Sequence, residues 1–68
     1  MKLRQLRYFQ GAVENGSFRR AAKALGVRES TVSRAIRDLE DELGASLFHR
    51  QAGGVSLTVA GERFVQRA

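Results

Sequence analysis

The sequence predicts a small, mainly α-helical domain in which two helices meet at a tight turn and a short β-hairpin follows. Four apolar residues recur in steps of four, three and four over residues 29–43, which places them on one side of a helix. They are Val32, Ile36, Leu39 and Leu43. Gly26 separates this helix from a shorter one that begins after Ser17. The segment QAGG, between two short apolar stretches, is typical of a hairpin turn.

Length and composition limit the possible classes of protein. A chain of 68 residues makes one domain with one small core. It has no cysteine and one histidine, so it lacks the residues for disulfides, thiolate metal sites or a histidine cluster. No apolar run approaches the roughly 20 residues that span a bilayer, and Lys2 and Arg4 interrupt the N-terminus. We therefore expect a soluble, cytoplasmic domain with no metal, no cofactor and no membrane contact.

Positive charge is concentrated in the first half of the chain. Residues 1–37 hold nine lysines and arginines against two glutamates, whereas residues 38–68 hold three arginines against five acidic residues. The basic half contains the two helices that meet at Gly26. This distribution favours an acidic partner such as nucleic acid.

The predicted helix over residues 29–43 also has a distinctive exposed side. Ser30, Arg34 and Arg37 share the side opposite the apolar stripe, with Ser33 at its edge. Short hydroxyl side chains and guanidinium groups suit the base edges of a DNA major groove. Alternatively, Arg37 is an ordinary surface residue, because Asp41 is spaced to form an i,i+4 ion pair with it.

A supporting helix is predicted over residues 3–14, ending at Asn15 and Gly16. Its apolar residues have helical spacing: Leu3, Leu6, Phe9, Ala12 and Val13. Gly11 in its middle predicts that another helix crosses closely there. Tyr8 and Phe9 would suit base stacking, but aromatic residues on an apolar stripe are more typical of a core.

The hairpin and a last helix complete the domain. Four apolar residues are expected to close the core, namely Leu47, Phe48, Val55 and Leu57, while His49, Arg50 and Gln51 face outward. Gly53 and Gly54 are both expected to adopt positive φ at the tip. Thr58 is expected to cap a helix over 59–68 in which Phe64 and Val65 find little to contact. We predict a domain over residues 1–58 and, over 59–68, the start of a longer helix or one that pairs with a partner.

Four sequence motifs carry a family resemblance. They are LRQLRYF, GSFRRAAKALGV, TVSRAIRDLEDELGASLFHR and LTVAGE. Together they resemble the N-terminal DNA-binding domain of LysR-type transcriptional regulators. The resemblance implies a winged helix-turn-helix with a three-helix core, a β-hairpin wing and a C-terminal linker helix that forms a homodimer. It also implies double-stranded DNA as partner, a possible higher oligomer of the full-length parent, and a small-molecule effector that binds only a separate C-terminal domain.

The motifs assign roles to individual residues. The base-reading set is Glu29, Ser30, Ser33 and Arg34, in which Ser33 and Arg34 match the family's VSR. The DNA-backbone set is Ser17, Arg19, Arg28, Thr31, Arg37 and Arg50, of which Ser17, Thr31 and Arg50 come from the resemblance. The wing set is Gln51, Ala52, Gly53 and Gly54.

This chain departs from the family pattern at two places. Arg28 and Glu29 stand where the family commonly has a Ser-Gln pair, so a carboxylate faces a polyanion and the helix cap is expected to shift to Ser30. Glu29 is either tolerated there or accepts a hydrogen bond from a cytosine amino group. Gly53 stands where the family often has an arginine that enters the minor groove.

Sequence-specific DNA binding is the function that these observations favour. A protein-interaction module on the same scaffold is the alternative, and it would be favoured if the exposed side of the second helix lacked basic residues. Catalysis is not expected, because one histidine, no cysteine and no glycine-rich phosphate loop leave nothing to assemble into an active site.

Overall fold

The computed structural model describes residues 2–67, which contain four helices and one two-stranded antiparallel sheet. The helices are α1 (Leu3–Asn15), α2 (Phe18–Leu25), α3 (Glu29–Leu43) and α4 (Val59–Arg67). The strands are β1 (Phe48–Gln51) and β2 (Gly54–Leu57), which together form the wing. The predicted mainly α, winged helix-turn-helix fold is confirmed. Residue 1 of the predicted domain and residue 68 of the predicted last helix lie outside the described residues.

The connection between α2 and α3 is the predicted tight turn. The Oγ of Ser17 accepts a hydrogen bond from the backbone N–H of Arg20 at 2.9 Å, which confirms Ser17 as the N-cap of α2. Gly26 ends α2 with a φ of 71°, in the left-handed region that favours glycine. The N–H of Val27 then donates to the carbonyl of Ala22 at 3.0 Å. This turn brings α3 back against α2.

The start of α3 differs from the prediction. Ser30 was expected to cap the helix, but α3 already begins at Glu29 and Ser30 lies inside its first turn. Arg28 occupies the N-cap position in an extended conformation and makes no side-chain cap hydrogen bond. Its carbonyl accepts hydrogen bonds from the N–H groups of Thr31 and Val32 at 3.0 and 3.3 Å. Because Arg28 supplies this first carbonyl acceptor, the helix starts two residues earlier than a Ser30 cap would allow.

The core is built on the apolar stripe of α3. Val32, Ile36 and Leu39 are fully buried, as predicted. Leu43 was predicted to continue the stripe, but its side chain is 41% exposed. The helix ends one residue later at Gly44, and the chain then turns and places Leu47 in the core with 1% exposure. Leu47 is thus the buried apolar residue that follows Leu39.

The first turn of α1 also departs from the predicted stripe. Leu3 was expected to be buried, yet it is 82% exposed, whereas Gln5 is only 7% exposed. The Oε1 of Gln5 accepts from the backbone N–H of Lys2 at 2.8 Å, and its Nε2 donates to Glu42 at 3.5 Å. These hydrogen bonds allow a polar side chain to be buried at low cost.

The middle of α1 packs closely against α2. A Cβ added at Gly11 would lie 3.0 Å from the Cδ1 of Leu25, which confirms the predicted close crossing. Phe9 is buried and Tyr8 is half-buried against the core. The core interpretation of this aromatic pair is therefore confirmed for Phe9.

The wing is docked on the connection between α1 and α2. Its strands pair Phe48 with Leu57 and Gln51 with Gly54 at the two ends of the register. Gly53 has a φ of 89°, but Gly54 does not share a positive φ, so that part of the prediction was wrong. A Cβ on Gly54 would instead collide with the carbonyl oxygen of Gly16. The same oxygen accepts a hydrogen bond from the N–H of Val55 at 2.9 Å, which fixes the wing against the α1–α2 connection.

Helix α4 returns to the core through an aromatic contact. Thr58 caps it as predicted, because its Oγ1 accepts from the N–H of Gly61 at 2.9 Å. Phe64 was expected to find little to contact, but its ring packs edge-on against Phe9 with centroids 5.0 Å apart. Val65 remains 42% exposed. One side of α4 therefore packs against the domain, and another side is exposed to solvent.

Glu40 connects α3 to the wing. Its Oε2 accepts hydrogen bonds from the backbone N–H groups of Leu47 and Phe48 at 2.7 and 3.4 Å. The Oγ1 of Thr58 donates to the carbonyl of Ser46 in the same segment at 2.6 Å. The segment before β1 is thus held from α3 on one side and from the start of α4 on the other.

Neither a membrane span nor a metal cluster is found in residues 2–67. Each helix in that range is too short or too polar to cross a bilayer. Groups of three or more histidine, aspartate or glutamate side chains that would hold a metal ion do not occur among the described residues either.

Candidate nucleic-acid interface

The exposed face of α3 carries most of the residues predicted to contact bases. Glu29, Ser30 and Arg34 are exposed, whereas Ser33 is half-buried. At about 100° per residue, Ser30 and Arg34 lie near the centre of the side opposite the buried stripe. Arg37, from the predicted backbone set, shares this side and is exposed. The predicted base-reading residues therefore do not form one flat row, because Glu29 and Ser33 lie toward one edge.

A groove that we call the wing groove runs between α2, the start of α3 and the wing. Its volume is about 580 Å³. Its charged and polar walls contain Ser17, Arg19, Arg20, Lys23, Glu29, Arg50 and Gln51, and its floor includes Phe18, Gly53, Gly54 and Val55. Four cations therefore surround one carboxylate, that of Glu29. The structure brings Ser17, Arg19 and Arg50 of the predicted backbone set together here, with all of the predicted wing set except Ala52.

Arg50 is held in the wing groove by an aromatic ring. The Cζ of its guanidinium lies 5.0 Å from the ring centroid of Phe18, within the range of a cation–π contact. Phe18 in turn packs edge-on against Phe48, with centroids 5.4 Å apart. The guanidinium of Arg50 therefore contacts a buried aromatic cluster, although Arg50 itself is exposed.

Ser17 contributes to the same groove from the N-cap of α2. It is buried, and its Oγ already accepts the capping hydrogen bond from Arg20. A hydroxyl that accepts one hydrogen bond still has its own proton to donate. Ser17 can therefore serve as both cap and donor to an anion in the groove.

A second groove, which we call the α1 groove, lies on the other side of α3. The start of α1 forms one wall through Lys2, Arg4, Gln5 and Tyr8, and α3 with its N-cap forms the other through Arg28, Ser30, Thr31, Arg34, Ala35 and Asp38. The structure thus places Arg28 and Thr31 of the predicted backbone set apart from Ser17, Arg19 and Arg50.

Lys2 and Arg4 are basic residues of the interface region that sequence reasoning did not select. Their signal was present as positive charge at the start of the chain. That signal does not distinguish them from Arg7, which lies in a mainly apolar groove between α1 and α4 with Leu6 and Val65. Only the packing of α1 against α3 and α4 separates these cations.

These features define a small helix-turn-helix domain in which α3 presents an exposed polar face and the wing carries Arg50 beside it. The chain matches the family model described as a bacterial regulatory helix-turn-helix protein of the lysR family over residues 3–62. It belongs to that family.

Named relatives have the same domain within longer chains. The chain is 48% identical over 68 residues to the HTH-type transcriptional regulator BudR of Klebsiella aerogenes, covering all of this chain and 48% of that one. It is 49% identical over 67 residues to a probable nitrogen assimilation transcriptional activator of Synechococcus elongatus, covering 98% of this chain and 21% of that one. The chain therefore spans half or less of each of these relatives.

Solved structures with the same fold include protein–DNA complexes. The CbnR_DBD–DNA complex superimposes with a TM-score of 0.94 at 39% identity, covering 98% of this chain and 77% of that chain. The complex of BenM_DBD with catB site 1 DNA superimposes with a TM-score of 0.92 at 43% identity, covering 98% and 75% of the two chains.

Proposed function

We propose that this chain binds double-stranded DNA in a sequence-specific manner, as the DNA-binding domain of a LysR-type transcriptional regulator. The observation that carries the proposal is the exposed face of α3, which presents Ser30, Arg34 and Arg37, with the wing groove on one side of the helix and the α1 groove on the other. A helix with this face enters the major groove, while the flanking cations neutralise phosphates. Family membership and the likeness to protein–DNA complexes support it.

Within this function, the residues of α3 divide between reading bases and binding the backbone. Arg34 donates two hydrogen bonds to a guanine edge, and Ser30 and Ser33 form shorter contacts. Glu29 borders the bases from the wing groove. Phosphate contacts come from Ser17, Arg19, Arg28, Thr31, Arg37 and Arg50, and the wing residues Gln51, Ala52, Gly53 and Gly54 approach the neighbouring minor groove.

Dimerisation through α4 is part of the proposal. Val59 and Val65 are exposed on this short helix, and burial of such residues against a second copy removes apolar surface from water. Two copies would place two recognition helices on one duplex, so the operator would contain two half-sites. We place the parent protein in the cytoplasm, as a regulator rather than an enzyme, with effector binding assigned to a separate domain.

Selection from a random duplex pool tests the function directly. We expect enrichment of an inverted repeat, with binding that weakens steeply with salt by about 0.9 log units per phosphate contact for each log unit of salt. Fluorescence anisotropy at several salt concentrations measures this slope. If no sequence were enriched and binding did not depend on salt, DNA binding would be excluded and a protein-interaction module would be favoured.

A further inference from the structure

The α1 groove holds more positive charge than the predicted contacts use. Lys2 and Arg4 line it from the start of α1, and both side chains are exposed. Arg28 and Arg34 line it from the opposite wall. Asp38 is the single acidic residue on the described walls, so four cations share the groove with one carboxylate. This excess of positive charge favours an anionic ligand.

The placement of Lys2 and Arg4 is specific to one side of α1. Arg7 lies three residues after Arg4 on the same helix, and it is also exposed. Yet Arg7 borders the mainly apolar groove between α1 and α4, beside Leu6 and Val65. The cations of α1 are therefore divided, and only Lys2 and Arg4 lie beside the recognition helix.

The geometry of α3 places the two basic grooves on different sides of the helix. Glu29 borders the wing groove, and Thr31 borders the α1 groove. Two residues correspond to about 200° around an α-helix, so these side chains point in nearly opposite directions. The major groove of B-DNA is about 12 Å wide, close to the diameter of a helix with its side chains. A helix lying in it therefore has one sugar-phosphate backbone along each side.

We propose that Lys2 and Arg4 form a phosphate-binding site for the DNA strand on the α1 side of α3. This site rests on the DNA binding proposed above and adds a second backbone contact opposite the wing groove. A strand that reaches Arg28 and Thr31 passes the start of α1, because these residues share one groove with Lys2 and Arg4. The planar guanidinium of Arg4 forms paired hydrogen bonds to a phosphate, while Lys2 acts as a point charge.

The salt dependence of binding tests this site. Arg4→Ala should reduce the slope of log affinity against log salt by about 0.9, and the Lys2→Ala/Arg4→Ala double variant by about 1.8. Arg7→Ala is the matched control, since it removes the same charge from the same helix and should leave the slope close to that of the unmodified chain. The probe is a labelled duplex that carries the selected site, and fluorescence anisotropy measures its binding.

Neutral phosphate analogues locate the contact on one strand. Single methylphosphonate linkages placed along each strand should weaken binding of the unmodified chain at positions on both sides of the recognition helix. At one or two positions on the α1 side, a methylphosphonate should not weaken binding of the double variant further, because this variant already lacks the two cations that contact the phosphate there. Positions next to the wing groove should weaken both proteins alike.

Two results would overturn the site. One is an equal change of slope for Arg4→Ala and Arg7→Ala, which would mean that only net charge matters. The other is an unaltered methylphosphonate pattern in the double variant. Arg50→Ala separates this failure from a failure of DNA binding, because its slope should still fall by about 0.9 if the chain binds DNA through the wing groove. Thermal melts of each variant confirm that the fold is retained.

Discussion

The guanidinium of Arg50 lies 5.0 Å from the ring centroid of Phe18, which joins the first strand of the wing to the first turn of α2. The contact fixes a cation at the entrance of the wing groove before any ligand is present. A cation that is already oriented loses less side-chain entropy when it binds a phosphate. The aromatic core therefore contributes directly to the interface.

Arg50→Lys should weaken binding to the selected duplex by about two- to tenfold, since ordering a flexible side chain at an interface costs about 0.5 to 1.5 kcal/mol and the guanidinium over Phe18 is already ordered. The charge is retained, so the salt slope should not change. Anisotropy titrations measure both quantities. Arg63→Lys on α4 is the control. Equal affinities for Arg50→Lys and the unmodified chain would show that the contact with Phe18 does not assist binding.

Arg34→Ala should remove about 1 to 3 kcal/mol of discrimination between the selected site and random DNA, because a paired contact with guanine is lost. Arg19→Ala, in the wing groove, should weaken binding to all sequences alike. Competition assays with both duplexes distinguish these effects. Equal losses on selected and random DNA for Arg34→Ala would contradict its role in reading bases.

Ile36→Ala should destabilise the domain by about 2 to 5 kcal/mol, because the side chain is fully buried at the centre of α3. A loss of this size is large for a domain with few core residues. Leu43→Ala on the same helix should cost well under half as much, since Leu43 is partly exposed. Urea unfolding curves measure the difference, and similar shifts for the two variants would contradict the observed phase of the helix.

Glu29→Gln should bind all duplexes more tightly, because the carboxylate lies in the wing groove among the cations that attract phosphate. The free protein should melt slightly lower, since an acidic residue in the first turn of a helix contributes about 0.3 to 1 kcal/mol. Parallel titrations with selected and random duplexes test this. A loss of preference at one base pair would show that Glu29 reads cytosine, and weaker binding to both duplexes would place Glu29 away from DNA.

Local signals in the sequence predicted the helices and most of their ends, although not the cap of α3. Ser17 before the second helix and the glycines at positions 16 and 26 after the first and second helices mark boundaries through interactions within a few residues. The stripe of α3 predicted Val32, Ile36 and Leu39 as core for the same reason. These features depend on helical periodicity and capping, which a short stretch of sequence contains.

Features that depend on long-range packing were predicted poorly. Leu3 is exposed and Gln5 is buried, and the buried amide of Gln5 donates a hydrogen bond to Glu42, a residue 37 positions away. From residue type alone, leucine would be expected in the core and glutamine at the surface. The division of Arg4 and Arg7 between two grooves likewise depends on how α1 crosses its neighbours. The sequence thus indicated candidate residues on α3 but not Lys2 and Arg4 at the start of α1.

The distance between the wing and the α1–α2 connection depends on the missing side chain of Gly54. Gly54 touches the carbonyl oxygen of Gly16 where any Cβ would collide, and the next residue donates a hydrogen bond to the same oxygen. An alanine at position 54 would push β2 outward and carry β1, with Arg50, away from Phe18. The methyl group of this alanine would therefore widen the wing groove, while the buried stripe of α3 is not in contact with it. Because β1 also contains Phe48, which packs on Phe9 and Phe18 in the core, the shape of the interface and the stability of the fold depend on the same glycine.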